Sequence, residues 1–341
     1  MILSRPIRLS MFVPFMLALL LLLGACGQKP DNSGQAGNTA GSPASLSQHA
    51  SSASSNGKET SGAAETVTYY AGNGNIQVPK NPQRIVDLTS FYTGYFLALG
   101  AKPVGVMQGS LDSPYLKAKL DGVQSLGTKA SLEKILELKP DLIITYTGSE
   151  GIEEMQKIAP VAAIEYGKKN LRDQMLDFGK LVGKEAAAKE WIASWDKKIG
   201  ELKPKVQAAV GSKTVSILNP YAKGLYVFGH NYGRGGEILY GELGLKAPPE
   251  AQKAAIDSGT GWASISLEKL PDYAGDIIFT CPWSGDTSDP KTVYDSVIWK
   301  GLPAVKAGHV FQLNPKADTY NDPVSLEGQL KFLTDSLLSV K

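Results

Sequence analysis

A fifteen-residue segment occurs twice in this chain of 341 residues, and the repeat limits the folds that the chain can adopt. SLEKILELKPDLIIT at 131–145 aligns without a gap on SLEKLPDYAGDIIFT at 266–280, with seven identical positions. In each copy a serine suited to cap a helix, Ser131 or Ser266, precedes an apolar-periodic turn. A Pro or Gly break and a short apolar run follow, which is typical of a buried parallel strand. The repeat therefore predicts two related halves, each with a short helix, a turn and a strand.

Strand and helix signals alternate in both halves. The predicted strands are 84–88, 102–107, 141–145 and 161–166 in the first half and 213–218, 277–280 and 309–313 in the second. Helices are predicted at 91–100 and 236–245, ended by Gly100 and Gly244. Such alternation indicates an α/β fold with two similar lobes, each built on a mainly parallel sheet with helices on its faces.

One long helix is predicted between the lobes. Residues 184–210 are rich in Ala, Glu and Lys, and Trp191, Trp195 and Ile199 lie at helical spacing. Pro204 is expected to kink or end this helix. The predicted boundaries are 66–183 for the N-terminal lobe, 184–210 for the connecting helix and 211–341 for the C-terminal lobe. A single rigid connection predicts that the cleft between the lobes does not undergo a large hinge closure.

The N-terminus predicts export and a lipid anchor. Arg5 and Arg8 precede an apolar run at 11–23 that is too short to span a bilayer comfortably, and residues 1–25 are predicted to be a signal peptide. Small residues lead directly to Cys26, which resembles a bacterial lipobox and implies cleavage before Cys26 and acylation there. The alternative is an ordinary signal peptide with an incidental cysteine. The Ser/Gly/Ala-rich segment 26–65 is predicted to be a disordered tether.

Composition argues against several classes of protein. Without the signal peptide, 33 Lys and Arg remain against 33 Asp and Glu, which gives no case for nucleic acid or an anionic membrane surface as a partner. Cys281 would be the one remaining free thiol and is interpreted as a small buried hydrophobe. Outside the tether the histidines are His230 and His309, too few for a His-rich metal site. No motif for a nucleophile, a metalloprotease or an acid–base pair is found, so the chain is predicted not to be an enzyme.

The segment 219–240 is the richest candidate for ligand binding. It is interpreted as a loop after a strand, carrying Tyr226, Tyr232 and Arg234 ahead of a helix near Gly236. Its glycines are expected to let the backbone approach a ligand, while Arg234 suits an anionic or oxygen-rich group. Alternatively, Arg234 pairs with Glu237 or Glu242. The glycine spacing does not match a dinucleotide fingerprint.

Other predicted strand ends supply further polar and aromatic candidates for the cleft. These are Tyr92, Gln108, Tyr146, Thr147, Tyr166, Arg172, Trp283, Tyr320 and Asn321, together with His230 from the 219–240 segment. An aromatic-lined cleft with few charges fits a bulky, moderately polar chelate. Each of these residues could instead serve the packing of its lobe, and His230 could be an exposed loop histidine.

Taken together, these features resemble the extracytoplasmic substrate-binding proteins of ABC importers, in the class whose lobes are joined by one helix and which carries ferric siderophores, haem and cobalamin. NPQRIVDL at 81–88, the first SLEK segment and the C-terminal half carry the resemblance. It implies that Glu133 and Glu268 dock into arginine pockets on the two permease subunits, as bidentate carboxylate–arginine pairs could. The alternative is that both glutamates only complement a helix dipole.

The resemblance is closest to binders of ferric hydroxamate siderophores, in which an aromatic-Gly-Arg-Gly-Gly element faces the ligand. Tyr232 stands here at the aromatic position, often a tryptophan in that family, and Arg234 at the arginine position. Arg172 is a possible second cation, and Lys168 and Lys169 leave a more anionic chelate open. Tyr166 and Tyr320 match contact positions of the family.

The function predicted from the sequence is capture of an iron–siderophore complex, with a hydroxamate favoured, and its delivery to an ABC permease. No cofactor and no protein-held metal are expected, because the siderophore itself would hold the iron. The protein is expected to be a monomer on the outer side of a cell membrane, in a single-membrane bacterium. Haem or cobalamin binding is the alternative within this fold; a surface-anchored α/β enzyme or an adhesive lipoprotein are alternatives from other classes.

Overall fold

The computed structural model describes residues 65–282 and 289–340, which belong to one compact unit. The predictions for the signal peptide, Cys26, Trp283 and all but the last residue of the tether lie outside the described residues. Within the described ranges, no helix has the length and apolar character that crossing a membrane requires.

A β-hairpin that the sequence analysis did not predict opens the described chain. Strands β1 (Thr66–Ala71) and β2 (Gly74–Pro79) pair antiparallel. The side chain of Asn73, in the turn, donates to the carbonyl oxygen of Val161 at 2.9 Å and accepts from the amide of Ala163 at 3.0 Å. The hairpin is thereby fixed to the edge of the first large sheet, whose backbone groups it satisfies.

The first sheet has five parallel strands. They are β3 (Ile85–Asp87), β4 (Gly105–Val106), β5 (Gln124–Ser125), β6 (Leu142–Tyr146) and β7 (Val161–Ile164), in the order β5-β4-β3-β6-β7. The helices around it are α1 (Thr93–Ala98), α2 (Gln108–Asp112), α3 (Leu132–Glu137), α4 (Ile152–Gln156) and α5 (Leu171–Leu181), with a 3₁₀ turn at Lys117–Lys119. We call this sheet and its helices the first lobe.

Helix α6 (Glu185–Val210) connects the two sheets, as predicted. Trp195 and Ile199 are buried along it, which confirms that its apolar face packs against the rest of the protein. Pro204 lies inside the helix and does not end it. The helix stops instead at Gly211, whose positive φ of 63° is accessible to glycine without strain.

The second sheet also has five strands, but one of them runs in the opposite direction. They are β8 (Val215–Tyr221), β9 (Gly224–Phe228), β10 (Trp262–Ile265), β11 (Ile277–Thr280) and β12 (Val310–Gln312), in the order β10-β9-β8-β11-β12. Strand β9 is antiparallel to both of its neighbours, whereas β8, β11 and β12 pair in parallel. Most of the segment 219–228 is therefore a hairpin, not the loop that the sequence analysis expected.

The second sheet and its helices form what we call the second lobe. Its α-helices are α7 (Pro249–Ala251), α8 (Leu270–Tyr273), α9 (Lys291–Tyr294), α10 (Val297–Gly301), α11 (Pro303–Ala307) and α12 (Pro323–Leu338). Two π-helical segments, Glu237–Glu242 and Gln252–Asp257, and a 3₁₀ turn, Leu267–Lys269, complete it. The predicted α/β fold with mainly parallel sheets and one long connecting helix is confirmed.

The two SLEK copies occupy equivalent places, each directly before the strand that pairs with the first strand of its sheet. Ser131 caps α3, accepting a hydrogen bond from the amide of Lys134 at 3.4 Å. The second copy instead forms a 3₁₀ turn followed by the short α8. Pro271 stands where the first copy has Leu136 and has no amide hydrogen for the carbonyl of Leu267, which disfavours a continuous α-helix here.

Helix α12 packs against both α1 of the first lobe and the connecting helix α6. The carboxylate of Asp322 caps α12 by accepting from the amide of Ser325 at 3.0 Å. A Cβ on Gly94 of α1 would overlap this carboxylate, so the two helices meet at a glycine. The core of the first lobe is thus closed partly by the C-terminal helix.

Candidate functional site

An aromatic pocket lies between the two lobes, with a volume of about 460 Å³. Its lining residues are Phe91, Tyr146 and Tyr166 from the first lobe and Tyr226, Phe228, Tyr232, Arg234 and Trp262 from the second. Arg234 is the single charged side chain among these eight. The pocket therefore offers flat apolar faces, phenol groups and one guanidinium to a ligand.

In the first lobe, the carboxyl ends of neighbouring strands supply the tyrosines. Tyr146 is the last residue of β6, and Tyr166 follows β7. Phe91 follows β3 just after Ser90, whose positive φ of 58° turns the chain toward α1. This is the edge of a parallel α/β sheet at which ligands bind.

In the second lobe, the reversed strand β9 places aromatic side chains differently. Tyr226 and Phe228 are two residues apart on β9 and so project from the same face of the sheet. Trp262 begins β10 and pairs in register with Phe228. Its ring meets that of Tyr226 edge-on, with 5.5 Å between the ring centroids. The antiparallel hairpin thus forms one wall of the pocket.

Arg234 is held in a conformation that is uncommon for a residue with a side chain. Its φ is 60°, between Gly233 at 75° and Gly235 at 79°. The guanidinium carbon lies 4.0 Å from the centre of the Phe228 ring, and Nη1 donates to the carbonyl oxygen of Tyr232 at 2.7 Å. Burial lowers the pKa of Arg234, yet an arginine keeps its charge in proteins. The pocket therefore contains one fixed positive charge.

The glycines around Arg234 allow close approaches within the protein itself. A Cβ on Gly233 would overlap the carbonyl oxygen of Thr319, and one on Gly236 would overlap that of Gly229. These glycines were expected to allow the approach of a ligand; in the structure the backbone that approaches them is the protein's own. Their role is to fix the turn that presents Arg234.

Tyr166 is the central ring of the aromatic cluster. Its ring centroid lies 5.2 Å from that of Phe91, 6.1 Å from that of Tyr146 and 5.3 Å from that of Tyr232. Its hydroxyl donates to Oδ1 of Asn321, in the second lobe, at 3.1 Å. Burial raises the pKa values of both Tyr146 and Tyr166 well above the usual range, so both phenols stay neutral.

A buried carboxyl group, that of Glu237, is hydrogen-bonded to the turn that carries Arg234. Oε1 of Glu237 accepts hydrogen bonds from the amide of Gly233 at 3.0 Å and from Nδ2 of Asn321 at 2.7 Å. Burial raises the pKa of Glu237 to about 7, while these hydrogen bonds and the charge of Arg234 oppose the rise. Glu237 thereby links the turn that carries Arg234 to Asn321, the hydrogen-bond acceptor of the Tyr166 hydroxyl.

A second, polar cavity of about 410 Å³ shares Tyr166 with the aromatic pocket. Tyr92, Arg172 and His230, all predicted as ligand contacts, line this cavity and not the aromatic pocket. Arg172 forms a bidentate ion pair with Glu242, at 2.8 Å and 2.9 Å, and its Nε donates to Asp196 at 2.9 Å. Arg172 therefore joins α5 to α6 and to the second lobe.

Five predicted contact residues line the aromatic pocket: Tyr146, Tyr166, Tyr226, Tyr232 and Arg234. Tyr320 lies next to it, with its ring centroid 5.2 Å from that of Phe91 and its hydroxyl 2.9 Å from the carbonyl oxygen of Gly109. Phe91, Phe228 and Trp262 were missed. The run of aromatic and aliphatic residues at 225–228 was an available signal for strand β9, but nothing in the sequence singled out Phe91 or Trp262.

Both repeated glutamates are fully exposed, and both lie at the beginning of their turns. The pKa of Glu133 is lowered by its own backbone amide and by Ser131. The pKa of Glu268 is lowered by Ser266 and then by its own backbone amide. The first SLEK turn follows β5, and the second directly follows β10, which runs in the direction of β8 because β9 is antiparallel to both. Both carboxylates therefore lie beyond the carboxyl end of a strand of their sheet.

Comparison with known sequences decides the family, because residues 85–317 match the periplasmic binding protein family. The chain belongs to the periplasmic binding protein family. This family consists of binding proteins, and the protein is accordingly not an enzyme. Among the described residues, no group of three or more His, Cys, Asp or Glu side chains could hold a metal ion.

Two relatives and two solved structures illustrate the family relationship. The protein is 43% identical over 325 residues to the iron(3+)-hydroxamate-binding protein FhuD of Bacillus subtilis, covering 95% of this chain and 96% of the relative. It is 37% identical over 280 residues to YxeB of the same organism, another iron(3+)-hydroxamate-binding protein, covering 80% and 86% of the two chains.

The structural neighbours agree with this relationship. The binding-protein component of a ferrichrome ABC transporter of B. subtilis superimposes with a TM-score of 0.74 at 46% identity, covering 80% of this chain and 100% of the neighbour. FhuD2 of Staphylococcus aureus with bound ferrioxamine B gives 0.70 at 36% identity, covering 76% and 99%. This binding protein thus shares both its sequence and its fold with those proteins.

Proposed function

We propose that the protein captures a ferric hydroxamate siderophore in the aromatic pocket and delivers it to an ABC permease. The observation that carries this proposal is a pocket in which one guanidinium is surrounded by seven aromatic side chains. Three hydroxamate groups neutralise ferric iron, so the chelate presents apolar links and oxygen atoms with little net charge. Arg234 can donate to those oxygens while the aromatic rings cover the links.

The neutral phenols support a ligand whose iron is already coordinated. The hydroxyls of Tyr146 and Tyr166 already donate within the protein, to the carbonyl oxygen of Thr89 at 2.5 Å and to Oδ1 of Asn321 at 3.1 Å, and are not arranged as ligands of a bare ferric ion. The siderophore then supplies the iron ligands, and no resident cofactor is needed.

The distribution of cations favours a hydroxamate over a strongly anionic chelate. Lys168 and Lys169 do not line the aromatic pocket, and each pairs with a carboxylate, Glu165 at 3.2 Å and Asp177 at 2.7 Å. Arg172 is bound to carboxylates as well. A catecholate or citrate complex carries several negative charges and would find one positive group, Arg234, in the pocket. A hydroxamate complex has little net charge, so one positive group is sufficient for it.

The test is a binding titration of the full-length protein in detergent with ferrichrome, ferrioxamine B, ferric citrate, a ferric catecholate, haemin and cobalamin. Quenching of the intrinsic Tyr and Trp fluorescence is the readout. Saturable quenching by the two hydroxamates at submicromolar concentration, and weaker quenching by the others, is expected. Tight binding of haemin or cobalamin alone would show that the proposed ligand is wrong, while the assignment of the fold would stand.

We further propose that Glu133 and Glu268 dock the loaded protein onto the two permease subunits. Both carboxylates are exposed and ionised, and the repeat places them in equivalent positions of the two sheets. Two related carboxylates suit a transporter with two subunits, since each can accept a bidentate contact from an arginine. Exposed charge pairs of this kind chiefly fix orientation and the rate of association.

The remaining features of the proposal concern the location of the protein. We propose that it is a monomer with lobes at 66–183 and 211–341, held by acylated Cys26 to the outer side of the membrane of a single-membrane bacterium. The support is the lipobox-like position of Cys26 after the apolar run at 11–23. Mass spectrometry of the N-terminal peptide would detect the acyl groups, and C26A should release the protein from the membrane fraction.

A further inference from the structure

The segment 318–321 of the second lobe touches both the turn of Arg234 and the first lobe. The carbonyl oxygen of Asp318 accepts the backbone amide of Arg234 at 2.8 Å. The neighbouring carbonyl of Thr319 lies so close to Gly233 that a Cβ there would overlap it. The 318–321 segment is therefore the surface against which the turn of Arg234 is built.

Asp318 is itself fixed by a ring of hydrogen bonds. Its carboxylate accepts from the amide of Asn314 at 2.7 Å, and its own amide donates to the carbonyl oxygen of Asn314 at 2.8 Å. The second carboxylate oxygen accepts from the hydroxyl of Tyr115 at 2.9 Å. Asp318 is buried, so losing one of these bonds leaves a carboxylate oxygen to which water cannot readily donate a replacement hydrogen bond.

Tyr115 brings the first lobe into this arrangement. It lies between α2 and the 3₁₀ turn that follows, and its ring lies against Gly328 of α12, where a Cβ would overlap it. Two further contacts join the 318–321 segment to the first lobe: the hydroxyl of Tyr320 donates to Gly109, and that of Tyr166 donates to Asn321. The segment is thus fixed from three places in the first lobe.

We infer that Tyr115 and Asp318 are positioning residues for Arg234, through which the first lobe sets the place of the guanidinium in the pocket. Neither residue lines the aromatic pocket. The connection runs from the Tyr115 hydroxyl to the Asp318 carboxylate, and from the Asp318 carbonyl to the Arg234 amide. Because Arg234 stays in the left-handed region only while its surroundings hold it there, a loosened Asp318 should displace the side chain.

The variant that tests this inference is Tyr115→Phe, which removes one hydroxyl and keeps the ring. The matched control is Tyr69→Phe, because the Tyr69 hydroxyl also donates to a carboxylate, that of Asp177 at 2.6 Å, and Tyr69 does not line the aromatic pocket. We expect Tyr115→Phe to weaken ferrichrome binding about threefold to tenfold and Tyr69→Phe to leave it unchanged.

A double-mutant cycle separates positioning from a general loss of stability. In an Arg234→Ala background the Tyr115→Phe substitution should have no further effect on affinity, because the group that Tyr115 positions is gone. A loss of affinity equal in both backgrounds, or wild-type affinity of Tyr115→Phe, would overturn the inference.

The inference about affinity rests on the proposed function, so a second readout avoids any ligand. The ¹⁵N–¹H signal of the Arg234 side chain, assigned by its loss in Arg234→Ala, should shift in Tyr115→Phe and not in Tyr69→Phe. If wild-type protein binds no chelate, the proposed function fails and this signal still decides the positioning role. An unshifted signal in Tyr115→Phe would refute that role even if the chelate binds.

Discussion

Arg172 of the first lobe forms a bidentate ion pair with Glu242 of the second, with N–O distances of 2.8 Å and 2.9 Å. Glu242 is buried, and the same guanidinium reaches Asp196 on the connecting helix. This side chain therefore links both lobes to each other and to the helix between them.

Arg172→Ala should lower the free energy of unfolding by about 2 kcal/mol, because it leaves the buried carboxylate of Glu242 without its partner. Urea denaturation is the measurement. Lys198→Ala is the matched control, since the Lys198–Glu327 pair of 2.8 Å is exposed on both sides and should contribute about 0–1 kcal/mol. Equal effects of the two variants would contradict the structural role of Arg172.

Arg234→Ala should weaken hydroxamate binding by about tenfold or more, because the charged hydrogen-bond donors of the pocket are lost. Arg234→Lys should restore the affinity only in part, since an ammonium group lacks the planar fork of the guanidinium. Isothermal titration with ferrioxamine B provides the measurement. Unaltered affinity in Arg234→Ala would show that the aromatic residues alone hold the chelate.

Gly94→Ala should strongly destabilise the protein, because the new Cβ would overlap the carboxylate of Asp322 that caps α12. Gly200→Ala offers a control within α6, where an added Cβ meets nothing within 4 Å. The control should raise the free energy of unfolding by about 0.5–1 kcal/mol, as alanine favours a helix. Thermal unfolding followed by circular dichroism distinguishes the two.

Glu237 should make the stability depend on pH between its ordinary pKa of 4.5 and its folded value of about 7. In this window the folded protein holds a proton that the unfolded chain has released, so rising pH lowers the stability. Relative to Glu237→Gln, the wild type should lose about 3 kcal/mol across the window. Urea midpoints at several pH values measure this difference. Burial also raises the pKa of Asp322 to about 6, but that titration is common to both proteins and cancels in the difference. A constant difference from low to neutral pH would show that folding does not change the pKa of Glu237.

Glu133→Ala and Glu268→Ala should each reduce uptake of the iron complex without changing its affinity for the isolated protein, and the double variant should abolish uptake. Transport of ⁵⁵Fe-ferrichrome into cells is the measurement. Glu137→Ala and Asp272→Ala are matched controls, because both are exposed acidic residues of the same two segments. Uptake that falls equally in the controls would indicate a general effect of surface charge.

The sequence predicted the parts of the fold that depend on local pattern. Residues 131–145 gave helix, turn and strand in the predicted order, because capping by Ser131 and the apolar run at 142–145 are local signals. Pro204 shows the limit of such signals. Helix α6 continues past this proline while packing against α5 and α12, so tertiary contacts outweigh the local helix-breaking tendency.

Part of the candidate site was also predicted, because some of its residues lie in recognisable local sequence patterns. Arg234 and Tyr232 stand in a recognisable glycine-rich segment, and Tyr146 directly follows the strand predicted at 141–145. Phe228 and Trp262 face the pocket only because β9 runs antiparallel between β8 and β10, a pairing that joins residues more than thirty positions apart. Sequence periodicity does not encode such long-range pairing, whereas the hairpin β8–β9 is local and its strand signal was missed.

The contact between α12 and α1 has a consequence for the order in which the chain assembles. The hairpin β8–β9 pairs neighbours in sequence, whereas Gly94 meets Asp322 across more than two hundred residues. Loops of that length close late and slow folding. The first lobe precedes the second along the chain, yet its core is completed only by the sixteen-residue helix α12, so we expect the N-terminal lobe to finish folding last.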